Sequence, residues 1–228
     1  MLNKITVLST MLLWLLCGCS IIFGPSDVVR HPHNNKTSQQ YSYIPPLYDK
    51  YTYGDVKSYN VGEWVLYKIT SAGDETSDLK ISVVAKEGNN FWIEVSGNGL
   101  QGVSRQLVTP ECNIKKAFYS ENNKPPVEQT IEHYVDTPSE WPKMKDKKVG
   151  RQVMEFKVGK FDTIVTKTTF TDEDGRLTEE TKYTSSYIPK LYSDGLIMLN
   201  GAAGAKVKHI ELISFGKDAK PTIQIPNQ

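Results

Sequence analysis

Leu79-Lys80-Ile81-Ser82-Val83-Val84-Ala85-Lys86-Glu87-Gly88-Asn89-Asn90-Phe91-Trp92-Ile93-Glu94-Val95 alternates apolar and polar residues on either side of a short break. Leu79, Ile81, Val83 and Ala85 recur at every second position with Lys80, Ser82 and Lys86 between them, and Phe91, Ile93 and Val95 repeat the pattern around Glu94. Successive side chains of a strand point to opposite faces, so this period marks two half-buried strands rather than a helix. Glu87-Gly88-Asn89-Asn90 carries the residues that accept turn backbones. The stretch predicts an antiparallel hairpin with one dry face and one wet face, Glu94 lying on the wet one.

Short segments of the same kind continue outward. Glu63 to Thr70, Gly102 to Thr109, Ile114 to Tyr119, Val127 to Glu132, Gln152 to Val158 and Lys206 to Phe215 are rich in β-branched and aromatic residues and are separated by glycine and asparagine turns. Phe156-Lys157-Val158, Gly159-Lys160 and Phe161-Asp162-Thr163 read as a hairpin whose turn begins with the glycine of a type II′ turn. Asp174-Gly175 closes a longer hairpin between Phe161 to Thr171 and Arg176 to Tyr187. The best helical segment is Pro138 to Lys148, weakened by Pro142. The expected fold is mainly β: a single antiparallel meander of about ten strands in a curved sheet, as a barrel or half-barrel, with few or no helices. Closing or filling such a sheet protects edges that open sheets must otherwise manage.

The first residues obey different rules. Lys4 precedes an uncharged run, Ile5 to Leu16, and then Cys17-Gly18-Cys19-Ser20. A basic start, an apolar stretch and small residues before a cut define an export signal. Leu16, Gly18 and Cys19 resemble the lipobox of bacterial lipoproteins, with Cys17 standing where alanine or serine is more usual. The resemblance covers residues 1–20 and implies signal peptide 1–18 and lipidation of Cys19, whose thiol would carry diacylglycerol. It further implies a cell-envelope address, with Ser20 rather than aspartate after the cysteine pointing to the outer membrane, facing the periplasm. Two or more acyl chains anchor a protein stably, at roughly 0.8 kcal/mol per buried CH₂. The competing reading is an uncleaved membrane helix over Ile5 to Phe23, against which Thr6, Ser9, Thr10, Gly18 and Pro25 weigh.

Between anchor and strands, residues 19–55 hold the lipidated cysteine and a tether. Gly24 to Asp55 collects Pro25, Pro32, Pro45 and Pro46 with asparagine and glutamine and shows no periodicity. About 30 such residues span roughly 30 Å, which would hold a β domain of residues 56–228 off the membrane. Tyr41, Tyr43, Tyr48, Tyr51, Tyr53 and Tyr59 are half of the twelve tyrosines. Disordered segments are poor in aromatics, so the second half of this stretch is expected to pack on the domain or on a partner.

Charge and chemistry exclude more than they assign. Removing residues 1–18 takes Lys4 away and leaves 26 basic residues facing 26 acidic ones, a balance without the long-range field that gathers nucleic acid. Cys17 leaves with the signal and Cys19 is acylated, so Cys112 stands alone and no internal disulfide forms. No Walker loop, His-Glu-x-x-His or dinucleotide fingerprint is present. Gly102-Val103-Ser104-Arg105-Gln106 starts like a nucleophile turn and lacks the closing glycine. His133 and His209 read as ordinary residues, His31 and His33 supply too few fixed ligands for a metal, and Asp172-Glu173-Asp174-Gly175 reads as a charged hairpin tip rather than a calcium loop, since its twelfth place is Tyr183. Lys143, Lys145, Lys147, Lys148 and Arg151 form the one basic cluster, interrupted by Asp146 and read as a solvated loop, with contact to anionic lipid head groups as the alternative. No catalytic residue, cofactor or metal site is therefore expected.

Three functions fit this reading. The first is a non-catalytic envelope lipoprotein whose β domain binds or assembles with another envelope protein. The second is a carrier or sensor of an apolar ligand: a lipobox followed by an almost all-β domain resembles the half-barrel lipoproteins of the LolA and LolB type, from which this chain departs in lacking clear helices to line the barrel. The third is a hydrolase acting through scattered carboxylates, two of which would have to stand about 5–10 Å apart if the substrate is glycan.

Overall fold

The computed structural model describes residues 47–48, 53–97, 100–121, 124–132, 145–171, 177–201 and 207–225. Among these residues thirteen strands follow one another: β1 (Leu47–Tyr48), β2 (Trp64–Ser71), β3 (Thr76–Glu87), β4 (Asn90–Gly97), β5 (Gly102–Val108), β6 (Ile114–Glu121), β7 (Val127–Glu128), β8 (Ile131–Glu132), β9 (Lys145–Phe156), β10 (Gly159–Thr171), β11 (Leu177–Thr184), β12 (Leu196–Asn200) and β13 (Val207–Gly216). The helical content of the described residues is one 3-10 turn, Val56–Ser58. Eleven strands form one antiparallel sheet in the order β7-β6-β5-β4-β3-β2-β13-β12-β11-β10-β9, and β1 pairs with β8 in parallel beside it. The fold is the mainly-β curved sheet expected. It stays open, so the full barrel allowed by the sequence is replaced by the half-barrel. The order also shows that the meander comes in two halves: β2 to β7 winds outward, the chain passes to the far edge, and β9 to β13 winds back until β13 lies against β2.

Alternation builds the inner face. Val65, Tyr67 and Ile69 from β2 stand beside Leu79, Ile81 and Val83 from β3, and beyond them Phe91, Ile93 and Val95 from β4, all buried. Val65 pairs with Ile81 and Ile81 with Val95, so the three side chains form a row across the sheet. Ile210 and Leu212 of β13 extend it by facing Ile69 and Tyr67. The predicted hairpin forms where expected, with Gly88 at φ +59° between Glu87 and Asn90. One correction concerns Ala85. A bulge at Val84 breaks the alternation, so that Val84 and Ala85 join an apolar cluster on the outer face with Trp92.

The inner face is covered by two pieces of irregular chain. The loop between β11 and β12 places Ile188, Leu191 and Tyr192 on it, and the segment ahead of β2 adds Val56 and Tyr59. Tyr192 lies 5.1 Å from Tyr67 and 6.4 Å from Tyr53, centroid to centroid, while Tyr59 meets Phe91 edge-on at 6.2 Å. The Tyr67 hydroxyl donates to Leu196 O at 2.8 Å, that of Tyr59 to Leu191 O at 3.3 Å, and Ser193 N donates to Tyr53 O at 3.0 Å. A side chain at Gly54 would place its Cβ 2.3 Å from Lys190 O, so only glycine lets the two pieces touch. Packing on the domain, expected for the tyrosine-rich stretch, is thus seen for Tyr53 and Tyr59.

Other expectations need adjustment. The β9–β10 turn is Lys157-Val158, because Phe156 pairs with Gly159, and not Gly159-Lys160. This register sets Phe161 opposite Met154 and keeps the Phe156 and Phe161 rings 6.4 Å apart, with Phe215 a further 6.2 Å beyond. The predicted Val127 to Glu132 strand is split into β7 and β8. Lys145 to Lys148, the end of the helical candidate, belongs to β9, and the rest of that candidate lies outside the described residues, as does the Asp174-Gly175 turn; the strands it joins pair from Ile164↔Thr184 to Thr171↔Leu177. β12 was not foreseen, since Leu196-Ile197-Met198-Leu199 is a continuous apolar run without alternation.

Tyr192→Ala is expected to lower unfolding free energy by about 3–5 kcal/mol, the range for deleting a buried aromatic ring. Tyr187→Ala, five residues away and 72% exposed, is expected to change it by no more than about 0.5 kcal/mol. Urea unfolding of the two variants side by side checks this.

Candidate functional site

The outer face of β4, β5 and β6 is where the structure departs most from a simple wet surface. Register sets Glu94 of β4 opposite Arg105 of β5, and Arg105 opposite Phe118 of β6; Trp92 and Leu107 form the adjoining pair. Segment 221–225, about 17 Å of chain if fully extended, lies across these strands and buries Ile223 and Ile225 against Val84, Trp92, Leu107 and Phe118. Glu94, read from sequence as solvent-facing, is only 3% exposed as a result. Burying a carboxylate without partners is costly, and Glu94 has them. Its oxygens accept from Thr222 N at 2.9 and 3.0 Å, from Ile223 N at 3.3 Å and from the Thr222 hydroxyl. Arg105 donates from a terminal guanidinium nitrogen to Ile223 O at 2.9 Å and stacks its guanidinium 5.2 Å over the Trp92 ring. Burial lowers the Arg105 pKa below the usual guanidinium value, opposed by the charge of Glu94. The pair grips backbone N–H and C=O groups, which any extended peptide presents, and reads sequence only through the Thr222 hydroxyl and two isoleucine contacts.

Chain leading into this segment is fastened too. Trp64 Nε1 donates to Asp218 at 2.7 Å and Ala219 N to Gly62 O at 2.8 Å. The indole hydrogen bond, foremost, holds the Asp218 carboxyl below its ordinary value of 3.8.

On the inner face of the same strands a second polar group is buried. Ser104, Gln106 and Gln129 are each at least nine-tenths buried; Gln106 Nε2 donates to Ser104 Oγ at 3.1 Å and Ser104 Oγ to Gln129 Oε1 at 3.1 Å. Gln106 Oε1 makes no hydrogen bond. Gly102 to Gln106, which began like a nucleophile turn, is thus the straight strand β5, and Ser104 has an amide neighbour rather than a base.

The remaining sequence candidates fall as follows. Cys19, Cys17, His31, His33, His133, Asp172 to Gly175 and Lys143 lie outside the described residues. His209 sits on β13 with Nδ1 2.8 Å from Asn200 Oδ1, and neighbouring Glu211 accepts from Lys157 at 2.8 Å. Cys112 occupies a turn at φ +61°, half-buried, its thiol 3.9 Å from Gly54 O. Lys147, Lys148 and Arg151 are exposed, on the edge strand β9 and not on a loop. Buried Glu63 accepts from Asn60 N at 3.1 Å and Asn60 Nδ2 at 3.0 Å, so both it and Glu94 act as backbone clamps. Among the described residues no three histidine, cysteine, aspartate or glutamate side chains gather as a metal would require, and no helix is long and apolar enough to cross a membrane. The Glu94 and Arg105 clamp was missed in sequence, although Pro221-Thr222-Ile223-Gln224-Ile225-Pro226 carries its signal, a short alternation between two prolines.

No family model matches the chain and no curated protein matches it in sequence. Solved structures to which the chain shows some similarity include a hypothetical protein of Chlamydia trachomatis, 9% identical at TM-score 0.44, with 76% of this chain and 96% of that chain covered. A candidate exported protein with YmcC-like fold from Bacteroides fragilis is 10% identical at TM-score 0.33, covering 69% and 97%. A candidate lipoprotein from Parabacteroides distasonis is 10% identical at TM-score 0.31, covering 69% and 96%. Likenesses this distant carry no information on activity.

Glu94→Ala is expected to cost about 1.5–3 kcal/mol, the worth of hydrogen bonds to a charged acceptor, and to speed amide exchange at Thr222 and Ile223, while Gln224→Ala does neither; hydrogen-exchange mass spectrometry reads both. Because the folded Asp218 pKa is depressed, its contribution to stability is present above the unfolded value and is lost as pH falls through the folded one. Trp64→Phe should raise the Asp218 midpoint toward its ordinary value, read by NMR titration of its carboxyl carbon.

Proposed function

We propose that this chain is a lipid-anchored envelope protein, held through Cys19 and carried on the tether of residues 19–55, whose β domain is a non-catalytic binding or assembly module. The supporting observation is the filled inner face. Tyr53, Tyr59, Tyr67 and Tyr192, with Ile188 and Leu191, occupy the hollow of the half-barrel where a LolA-type carrier would hold an acyl chain. Displacing them would expose aromatic surface worth several kcal/mol and leave the Leu191 and Leu196 carbonyls without their tyrosine donors. The hydrolase reading loses support from the same kind of observation, since of the three buried glutamates among the described residues, Glu63, Glu94 and Glu180, the first two are committed to backbone N–H groups. What remains for function is the outside of the sheet and its edges, surfaces suited to another protein.

Export, an outer-membrane address and anchoring follow from residues 1–20 in this reading. Cells fed radiolabelled palmitate should label the wild-type chain and not Cys19→Ala; label retained by Cys19→Ala would move the acylation to another cysteine, and a wild-type chain that takes no label yet stays in the membrane fraction would return the first segment to a membrane helix.

A further inference from the structure

β9 is twelve residues long and forms one end of the eleven-stranded sheet, with β10 its sole strand partner among the described residues. The other end is β7, two residues long. An edge strand offers a row of backbone N–H and C=O groups to any extended chain, so the two ends differ: one is nearly absent and the other is a full-length template. Side chains on β9 match that description. Val149 and Val153 are 54% and 62% exposed, apolar side chains left largely to solvent. Around them Lys147, Lys148 and Arg151 are exposed as well, and Lys167 faces Lys147 from β10. A bulge at Val149, between Lys148↔Thr166 and Gly150↔Val165, divides the strand.

Charge and a bulge on an edge are the usual means of preventing indiscriminate pairing. They also choose a partner. Two copies of β9 paired together would bring eight basic residues beside four acidic ones, because each strand holds Lys145, Lys147, Lys148 and Arg151 against Asp146 and Glu155. Like charges across a strand pair are unfavourable and opposite ones favourable. Resting on the reading of this domain as a binding module, we infer that the β9 edge is the docking site, and that it takes an extended segment of another protein that alternates acidic with aliphatic residues and adds to the sheet as a twelfth strand. Backbone hydrogen bonds would supply the affinity, while Lys148 and Arg151, which share one face of β9 with Val153, select acidic side chains on that face of the added strand, and its aliphatic residues take the other face.

The test uses the full chain in mild detergent and two synthetic twelve-residue peptides, one alternating glutamate with valine and one alternating lysine with valine. Hydrogen exchange is followed by mass spectrometry. The glutamate peptide should slow exchange across 147–156 at least tenfold. In the triple variant Lys147→Glu, Lys148→Glu, Arg151→Glu it should bind at least tenfold more weakly, with the lysine peptide bound in its place. Circular dichroism and the urea midpoint establish that the variant is folded; if it is not, Lys148→Gln with Arg151→Gln carries the comparison, weaker glutamate-peptide binding again being expected. Equal protection by both peptides, or by neither, overturns the inference. So does protection that grows with protein concentration alone, which means self-pairing, or protection by phosphatidylglycerol vesicles without peptide, which means a lipid surface. An envelope partner that crosslinks to the domain away from β9 would leave the module reading standing and remove this site.

Discussion

Pairing of β2 with β13 joins two separate meanders into one sheet, and the arrangement of every other element depends on it. Each half alone would present a long apolar edge at its innermost strand. Together they align Ile69 with Ile210 and Tyr67 with Leu212, so that the inner row runs unbroken from β4 to β13. Two register shifts along this pairing, at Val207/His209 and Leu212/Ser214, bend the strands where the halves meet, as bulges do. The hollow so formed is then occupied by the β11–β12 loop, which enters because β12 is the strand next to the seam.

The same seam explains why both faces of the sheet are covered in places. At the inner face the covering pieces come from both sides of the seam, Val56 and Tyr59 before β2 and Ile188 to Tyr192 before β12. At the outer face, chain leaving β13 is already close to β2, where Trp64 catches Asp218, and from there it reaches Glu94 and Arg105. A buried carboxylate on a sheet face is tolerable when backbone donors meet it, and the path of the chain delivers two of them. Stability and the position of residues 218–225 are thus coupled to one pairing in the middle of the sheet.

How much of this was legible in the sequence differs by element. Alternation identified β3 and β4 because one side of each is dry and most of the other is wet, and that contrast is visible locally. It misjudged Glu94 because the chain that dries that side lies more than a hundred residues away, and period two says which face a side chain takes without saying what covers it. β12, dry on both sides, had no contrast to show. The β9–β10 turn was misplaced since glycine chemistry pointed to Gly159-Lys160, whereas the observed register goes with ring contacts of Phe156 with Tyr183 and of Phe161 with Phe215, a long-range matter. Cys19 belongs to another category: its reading rests on resemblance of residues 16–20 to a processing signal, a pattern recognised by export machinery and unrelated to folding. The Glu94 and Arg105 clamp had a local sign in Thr222 to Ile225, but only as a strand without a stated partner.

The seam has a kinetic side. β2 and β13 are about 140 positions apart in the chain, so the contact that unites the sheet is among the most non-local it contains, and such contacts form slowly because loop closure must precede them. Because the chain is made from its N-terminus, β2 to β7 emerge well before β13 exists. During that interval the innermost strand of the first meander stands open, with Val65, Tyr67 and Ile69 exposed along it. The half-finished sheet is therefore the form of this protein that most needs protection from its neighbours, and the interval lasts as long as the remaining chain takes to arrive.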